Sequence, residues 1–117
     1  MKPDLQKIAI AKVCNYSVVP EDGGYALYLA GNPDRLAYEK KESRAWSFAP
    51  DYPSDLNAMH EVEANYPWNE DGNPTYNDYI ETLKEVHGSE FSAFSAPSKK
   101  RAEAFLKTIG KWEGEQS

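Results

Sequence analysis

The sequence predicts an α+β domain in which a small antiparallel sheet is sandwiched between helices. Three observations predict it: four segments carry apolar residues at helical spacing, three or four short runs rich in Tyr, Val and Phe read as strands, and no Gly/Ser linker or internal repeat divides the chain. At 117 residues one domain is expected, over 1–112, with 113–117 as a frayed tail.

The first helix is expected to start on an Asp4 cap, with Leu5, Ile8, Ala9 and Val13 as its apolar positions, and to end near Cys14-Asn15. Tyr16–Val19 and Tyr25–Leu29 then read as two strands of a hairpin, joined through Pro20 and the turn at Asp22-Gly23-Gly24. Residues 35–43 fit either a polar helical turn or a long loop. Arg44–Phe48 alternates and predicts a third strand, with Trp46 and Phe48 on one face. Ser54 or Asp55 caps the next helix, which carries Leu56, Met59, Val62 or Glu63, and Tyr66. After the loop Pro67–Gly72, Asn73 as cap and Pro74 at the first helical position predict another, with Tyr76, Tyr79, Ile80, Leu83 and Val86 as its stripe and Gly88 after its end. Phe91–Phe94 is a fourth strand candidate. Ser95 or Ser98 caps the last helix, whose inner face is Ala102, Phe105, Leu106 and Ile109; Gly110 ends it and Trp112 folds back on its last turn.

Leu, Ile, Val and Phe number only 20 of 117 residues, near the level that goes with disorder at high net charge. Three Trp and eight Tyr offset that scarcity, because each aromatic ring buries on the order of 150–250 Å². No apolar run approaches the roughly 20 residues of a membrane span, and the N-terminus lacks a signal peptide's apolar region, so a cytoplasmic protein without membrane contact is expected. One cysteine, Cys14, excludes an intrachain disulfide and a multi-cysteine zinc site. A net charge of -6 argues against general DNA or RNA binding, which goes with a basic excess.

Two groups of residues look familiar together. One is Trp46, a Pro–Tyr loop and Ser54-Asp55-Leu56-Asn57-Ala58-Met59-His60-Glu61 opening a helix; the other is Ser95-Ala96, Arg101-Ala102-Glu103-Ala104-Phe105-Leu106 and Gly110-Lys111-Trp112. Over about Trp46 to Trp112 the chain resembles the phage ABA-sandwich domain family of small phage and prophage proteins. The resemblance implies a sheet sandwiched between helices and brings no catalytic motif. Relative to it, the stretch Tyr66–Pro74 is long and aromatic.

Chemistry-bearing patterns are few. His60 with Glu61 or Glu63 shares a helix face, but His87 is the only other histidine and no HExxH or CxxC accompanies them. Cys14 falls near a helix C-terminus, where the dipole disfavours a thiolate. Asn69–Asn73 lacks the alternating ligands of a calcium loop. No G-x-S-x-G, P-loop or G-x-G-x-x-G occurs, so the chain reads as non-enzymatic, with no metal and no cofactor. The strongest candidate is an anion site where the last helix starts: Ser98, Lys99, Lys100 and Arg101 meet the free backbone N–H groups there, against the usual acidic preference of a first turn. Trp46, Tyr52, Tyr66 and Trp68, at a strand end or in loops, are candidates to stack on a base, with Trp46 and Tyr52 the chosen pair and Arg44 adding a phosphate contact. The expected function is therefore binding and sequestration of a small anionic ligand, such as a cyclic nucleotide signal of host anti-phage defence, by a homo-oligomer. The alternative is an acidic adaptor or inhibitor that anchors on a host protein through Tyr66 and Trp68.

Overall fold

The computed structural model describes residues 1–88 and 93–113, Phe94 by its backbone alone. Helix α1 (Pro3–Val13) leads into three antiparallel strands, β1 (Tyr16–Glu21), β2 (Gly24–Leu29) and β3 (Ala37–Glu39), in the spatial order β1-β2-β3. Helices α2 (Glu42–Trp46), α3 (Leu56–Asn65), α4 (Tyr76–His87) and α5 (Ser98–Thr108) follow, with a 3₁₀ turn at Ala93–Ser95 ahead of α5. The α+β class with an antiparallel sheet is as the sequence predicts. Of the fourth strand candidate, Phe91 and Ser92 lie outside the described residues, as does the expected tail after Glu113. Among the described residues no helix is long and apolar enough to cross a membrane.

The β1–β2 hairpin closes on two residues, Asp22 and Gly23, both at positive φ (53° and 77°), which is the geometry whose twist matches the flanking strands. Gly24, the first residue of β2, is buried for a different reason. A Cβ there would meet the Tyr38 hydroxyl at 2.7 Å and the Glu39 carbonyl oxygen at 2.8 Å. The β2–β3 pairing therefore needs glycine at this point. Gly24→Ala should cost about 1–3 kcal/mol of stability, as overpacking does; an unchanged urea midpoint would show that β3 moves aside freely.

The register sorts the sheet into two unlike faces. Tyr16, Val18, Leu27 and Ala37 point to the side where the core lies. Ser17, Val19, Ala26, Tyr28 and Tyr38 point to the other, which closes on itself with side chains: Arg35 reaches Glu21 at 2.7 Å and the Asp22 carboxylate, and its guanidinium sits 4.7 Å over the Tyr38 ring. Tyr28 donates to the same Glu21 carboxylate. Ala26, on the same face, is fully buried.

Two sequence-level expectations change. The predicted third strand, Arg44–Phe48, is instead the helix α2 and the turn after it; the third strand is Ala37–Glu39, which pairs with Tyr25–Leu27. Two residues apart on a helical turn means nearly opposite directions, so Trp46 enters the core while Phe48 is 57% exposed. Helix α1 starts at Pro3, ahead of the expected Asp4 cap, with Asp4 inside its first turn; Gln6, Ile10 and Ala11 are buried, Ile8, Ala9 and Val13 pack half-buried against the core, and Leu5 is 46% exposed.

Helix ends follow local chemistry. Asp55 caps α3 by accepting from the Ala58 N–H, as expected. Helix α4 starts two residues later than the Asn73 cap predicts. Thr75 and Asp78 form a reciprocal capping box, and Asn73 is engaged elsewhere, donating to the Pro67 carbonyl and facing the Tyr66 hydroxyl. Helix α5 begins after Pro97, with Ser98 inside its first turn. Tyr79, Leu83, Met59, Phe105, Leu106, Ile10 and Leu27 fill the centre with no exposure.

Candidate functional site: a tyrosine-lined cleft

A cleft of about 370 Å³ opens where the C-terminal end of α1, the first residue of β1, the Pro50–Pro53 turn and α3 converge. Its position follows from a chain reversal. Asn15 adopts a left-handed φ of 73°, which asparagine tolerates better than most residues, and its carbonyl accepts the Ala30 N–H. That turn sends Cys14 and Tyr16 to the cleft from either side of Asn15. Tyr52, only 4% exposed, shares a hydrogen bond with the Cys14 thiol. On α3, Ala58, Glu61, Val62 and Asn65 form the opposite wall, and Tyr66 closes it.

The cleft's thiol and phenols are held neutral. Burial pushes the Cys14 thiol up, with the Tyr52 hydrogen bond opposing, so this cysteine is a poor nucleophile at neutral pH. Tyr52 is pushed up by burial and then by the neighbouring thiol; Tyr16 is pushed up by burial and then by Cys14 and Glu61. Phenol hydroxyls, the Asn15 and Asn65 amides and a protonated thiol thus line the site, with Glu61 the one acidic and no basic side chain among its walls. Such a surface binds through hydrogen bonds and ring faces.

The residues singled out from sequence are dispersed by the fold. Arg44 is exposed on α2, 3.6 Å from Glu39. Trp46 is a core residue, 7% exposed, with the Lys12 ammonium 5.8 Å from its ring centroid, and it does not present a face for stacking. Tyr52 lines the cleft. Ser98 donates to the Pro53 carbonyl at 3.0 Å and so ties the first turn of α5 to the residue next to Tyr52. Lys99 is exposed on that turn and Lys100 half-buried.

Arg101 corrects the anion reading most sharply. It is 5% exposed, its Nη1 lies 2.7 Å from Glu63 Oε2, and its Nε and Nη2 donate to the carbonyls of Ala96 and Ala93 at 2.9 and 3.4 Å. Glu63, also buried, accepts from the Tyr79 hydroxyl and pairs with His60 at 3.1 Å. The Tyr79 hydroxyl is pushed well up, by burial first and then by that carboxylate. This is a structural ion pair at the junction of α3, α4 and α5. Both members were legible as anomalies: Arg101 stands four residues before Phe105 and Glu63 four after Met59, each in phase with a buried stripe.

Tyr66 and Trp68, the alternative anchors, belong to an aromatic cluster. Trp68 stacks on Tyr79 (centroids 5.3 Å, planes 22° apart), lies 4.5 Å from Tyr66 and edge-on to Phe105, and its indole N–H donates to the Glu63 carbonyl at 2.9 Å. The Glu61, Asn65 and Cys14 walls of the cleft were missed from sequence, because no spacing rule links the end of one helix to a face of another 45 residues on. Among the described residues no group of three His, Cys, Asp or Glu side chains is placed to hold a metal. Comparison with protein-family models, curated proteins and solved structures finds no match for this chain.

Proposed function

We propose that the protein is a non-enzymatic binding protein whose site is the tyrosine-lined cleft, and that its ligand is a small, ring-bearing molecule, uncharged or cationic at the part that enters. The observation that carries this is the lining itself: neutral phenol, amide and thiol groups around about 370 Å³, with Glu61 as the one acid. Hydrogen-bonding edges and ring faces match a planar heterocycle, and no basic side chain waits for a phosphate inside. The resemblance of residues 46–112 to small phage and prophage proteins, together with Lys99 and Lys100 beside the Ser98–Pro53 tie, supports a narrower form. In it a nucleotide-like signal is sequestered with its base in the cleft and its phosphates outside, toward α5.

A thermal-shift panel of nucleobases, nucleosides, cyclic and linear nucleotides and aromatic amines tests both forms. Ligand at 100 times its Kd should stabilise by about 2.7 kcal/mol, a shift on the order of 10 °C for a domain this size. Ala58→Trp, which fills the cleft, should remove the shift, and Glu61→Gln should weaken cationic ligands selectively. A shift seen only with nucleotides and lost in Lys99→Glu/Lys100→Glu selects the narrower form. Ligand recovered cleaved, or a shift indifferent to Ala58→Trp, would overturn the proposal.

A further inference from the structure

Strand β1 is an edge strand: β2 pairs with it on one side, and on the other no strand does among the described residues. The hairpin fixes which of its peptide groups are already used. A two-residue turn closes on a hydrogen-bonded pair, here Glu21 with Gly24, and the alternation then makes Val19 with Ala26 and Ser17 with Tyr28 the bonded pairs. Two further bonds agree with this phase. The Ala30 N–H donates to the Asn15 carbonyl at 3.0 Å, one step on in the same register, and the Leu27 carbonyl accepts from the Leu36 N–H at 2.8 Å, away from β1. Tyr16, Val18 and Pro20 therefore turn their peptide groups outward. Pro20 has no N–H to offer, which closes the turn end of this edge to another strand. The end from Tyr16 to Val18 keeps its donors and acceptors.

That open end is the rim of the tyrosine-lined cleft. Tyr16 belongs to both, and its side chain lies on the core face of the sheet, where the cleft opens. A strand added here sets one residue directly opposite Tyr16, and opposed residues send their side chains to the same face. That side chain enters the cleft. Glu61 is the one charged residue lining it, is exposed, and makes no ion pair or side-chain hydrogen bond among the described residues.

We infer that the partner is an extended peptide that adds antiparallel to β1 and places an arginine side chain in the cleft. The walls select the guanidinium. It is flat and always charged, stacks on tyrosine rings, pairs with a carboxylate, and donates to the hydroxyl and amide oxygens around it. A second copy of this chain fits less well: pairing β1 with β1 through both open residues sets Val18 of one copy opposite Tyr16 of the other, and Glu61 gains no cation. The inference rests on the cleft being a binding site and keeps its flat, cationic occupant. The open edge is what selects a peptide.

Calorimetric titration with the peptide acetyl-Thr-Val-Arg-Val-Thr-amide is the test. One-site binding with a Kd below about 1 mM is expected, weakened about tenfold by Glu61→Gln and abolished by Ala58→Trp. N-methylation separates the edge from the cleft. The arginine and the first threonine of the peptide turn their N–H groups to Tyr16 and Val18, so a methyl on either nitrogen should weaken binding about tenfold; a methyl on a valine nitrogen should leave it nearly unchanged. Val18→Pro removes one outward N–H and spares the hairpin bonds, as Pro20 does, and should weaken binding to the same extent with an unchanged far-UV spectrum. Binding indifferent to both Glu61→Gln and Ala58→Trp would overturn the cleft reading itself. Binding that needs both residues but ignores the arginine N-methyl group, or is matched by acetylarginine amide, would keep the cleft and overturn the added strand. So would no saturation up to about 1 mM, or a dimer in sedimentation that Val18→Pro disperses.

Discussion

Replacing Arg101 by alanine should cost about 3–5 kcal/mol, the penalty for stranding a buried charge, and that is a large part of the 5–15 kcal/mol that typically holds a domain together. The guanidinium makes contacts no other group can take over. It pairs with Glu63 at 2.7 Å and satisfies the carbonyls of Ala96 and Ala93, so it fastens α5 and the turn before it to α3. Without it, Glu63 at 8% exposure keeps only the Tyr79 hydroxyl and His60 for its carboxylate. The informative control replaces both charges by apolar residues, Arg101→Met with Glu63→Leu. If the single variant suffers from an uncompensated charge, the double should recover most of the loss in urea melts. A cost below about 1 kcal/mol for Arg101→Ala would instead mean that water reaches the pair, and would return Arg101 to the candidates for anion binding.

The same residue shows why the site was harder to read than the fold. Element types follow from periodicity, and of the five α-helices among the described residues four lie close to where apolar spacing puts them. The misplaced third strand arose because Trp46 and Phe48 alternate like a strand over five residues, too short a run to separate period 2 from a single helical turn. What settled it was pairing: Ala37–Glu39 occupies the free edge of β2, and Arg44–Phe48 has no partner there. The run Ser98–Arg101 reads as one basic cluster in sequence, yet successive residues diverge by about 100° on a helix, so Lys99 faces solvent while Arg101 enters the core. In α1 the core takes Ile10 and Ala11 whole and Ile8, Ala9 and Val13 in part, and how deep each sits depends on what packs against the helix, which its own sequence does not contain. The cleft is of the same kind: its walls come from Val13–Tyr16, Leu29, Pro50, Tyr52 and residues between Ala58 and Pro67, and only their convergence makes a site.

Trp68→Ala should be the second large effect, about 2–3 kcal/mol or a melting point lower by on the order of 10 °C, even though this tryptophan is half-buried. Its ring is the centre of a cluster with Tyr66, Tyr76, Tyr79 and Phe105 at centroid distances of 4.5 to 6.0 Å, and its N–H caps the Glu63 carbonyl near the end of α3. The loop around it is tied to itself: Asn69 donates its N–H to Pro74, Asn73 donates to Glu70 and, through its side chain, to Pro67. Removing the indole therefore opens a void over Tyr79 and frees a loop that positions Tyr66 at the mouth of the cleft. Trp68→Phe should retain most of the ring packing and lose about 1 kcal/mol with the hydrogen bond. The adaptor reading requires the opposite. A side chain reserved for a partner leaves the free protein's stability nearly unchanged when it is cut back, so a Trp68→Ala variant that melts with the wild type would move this loop from scaffold to interface.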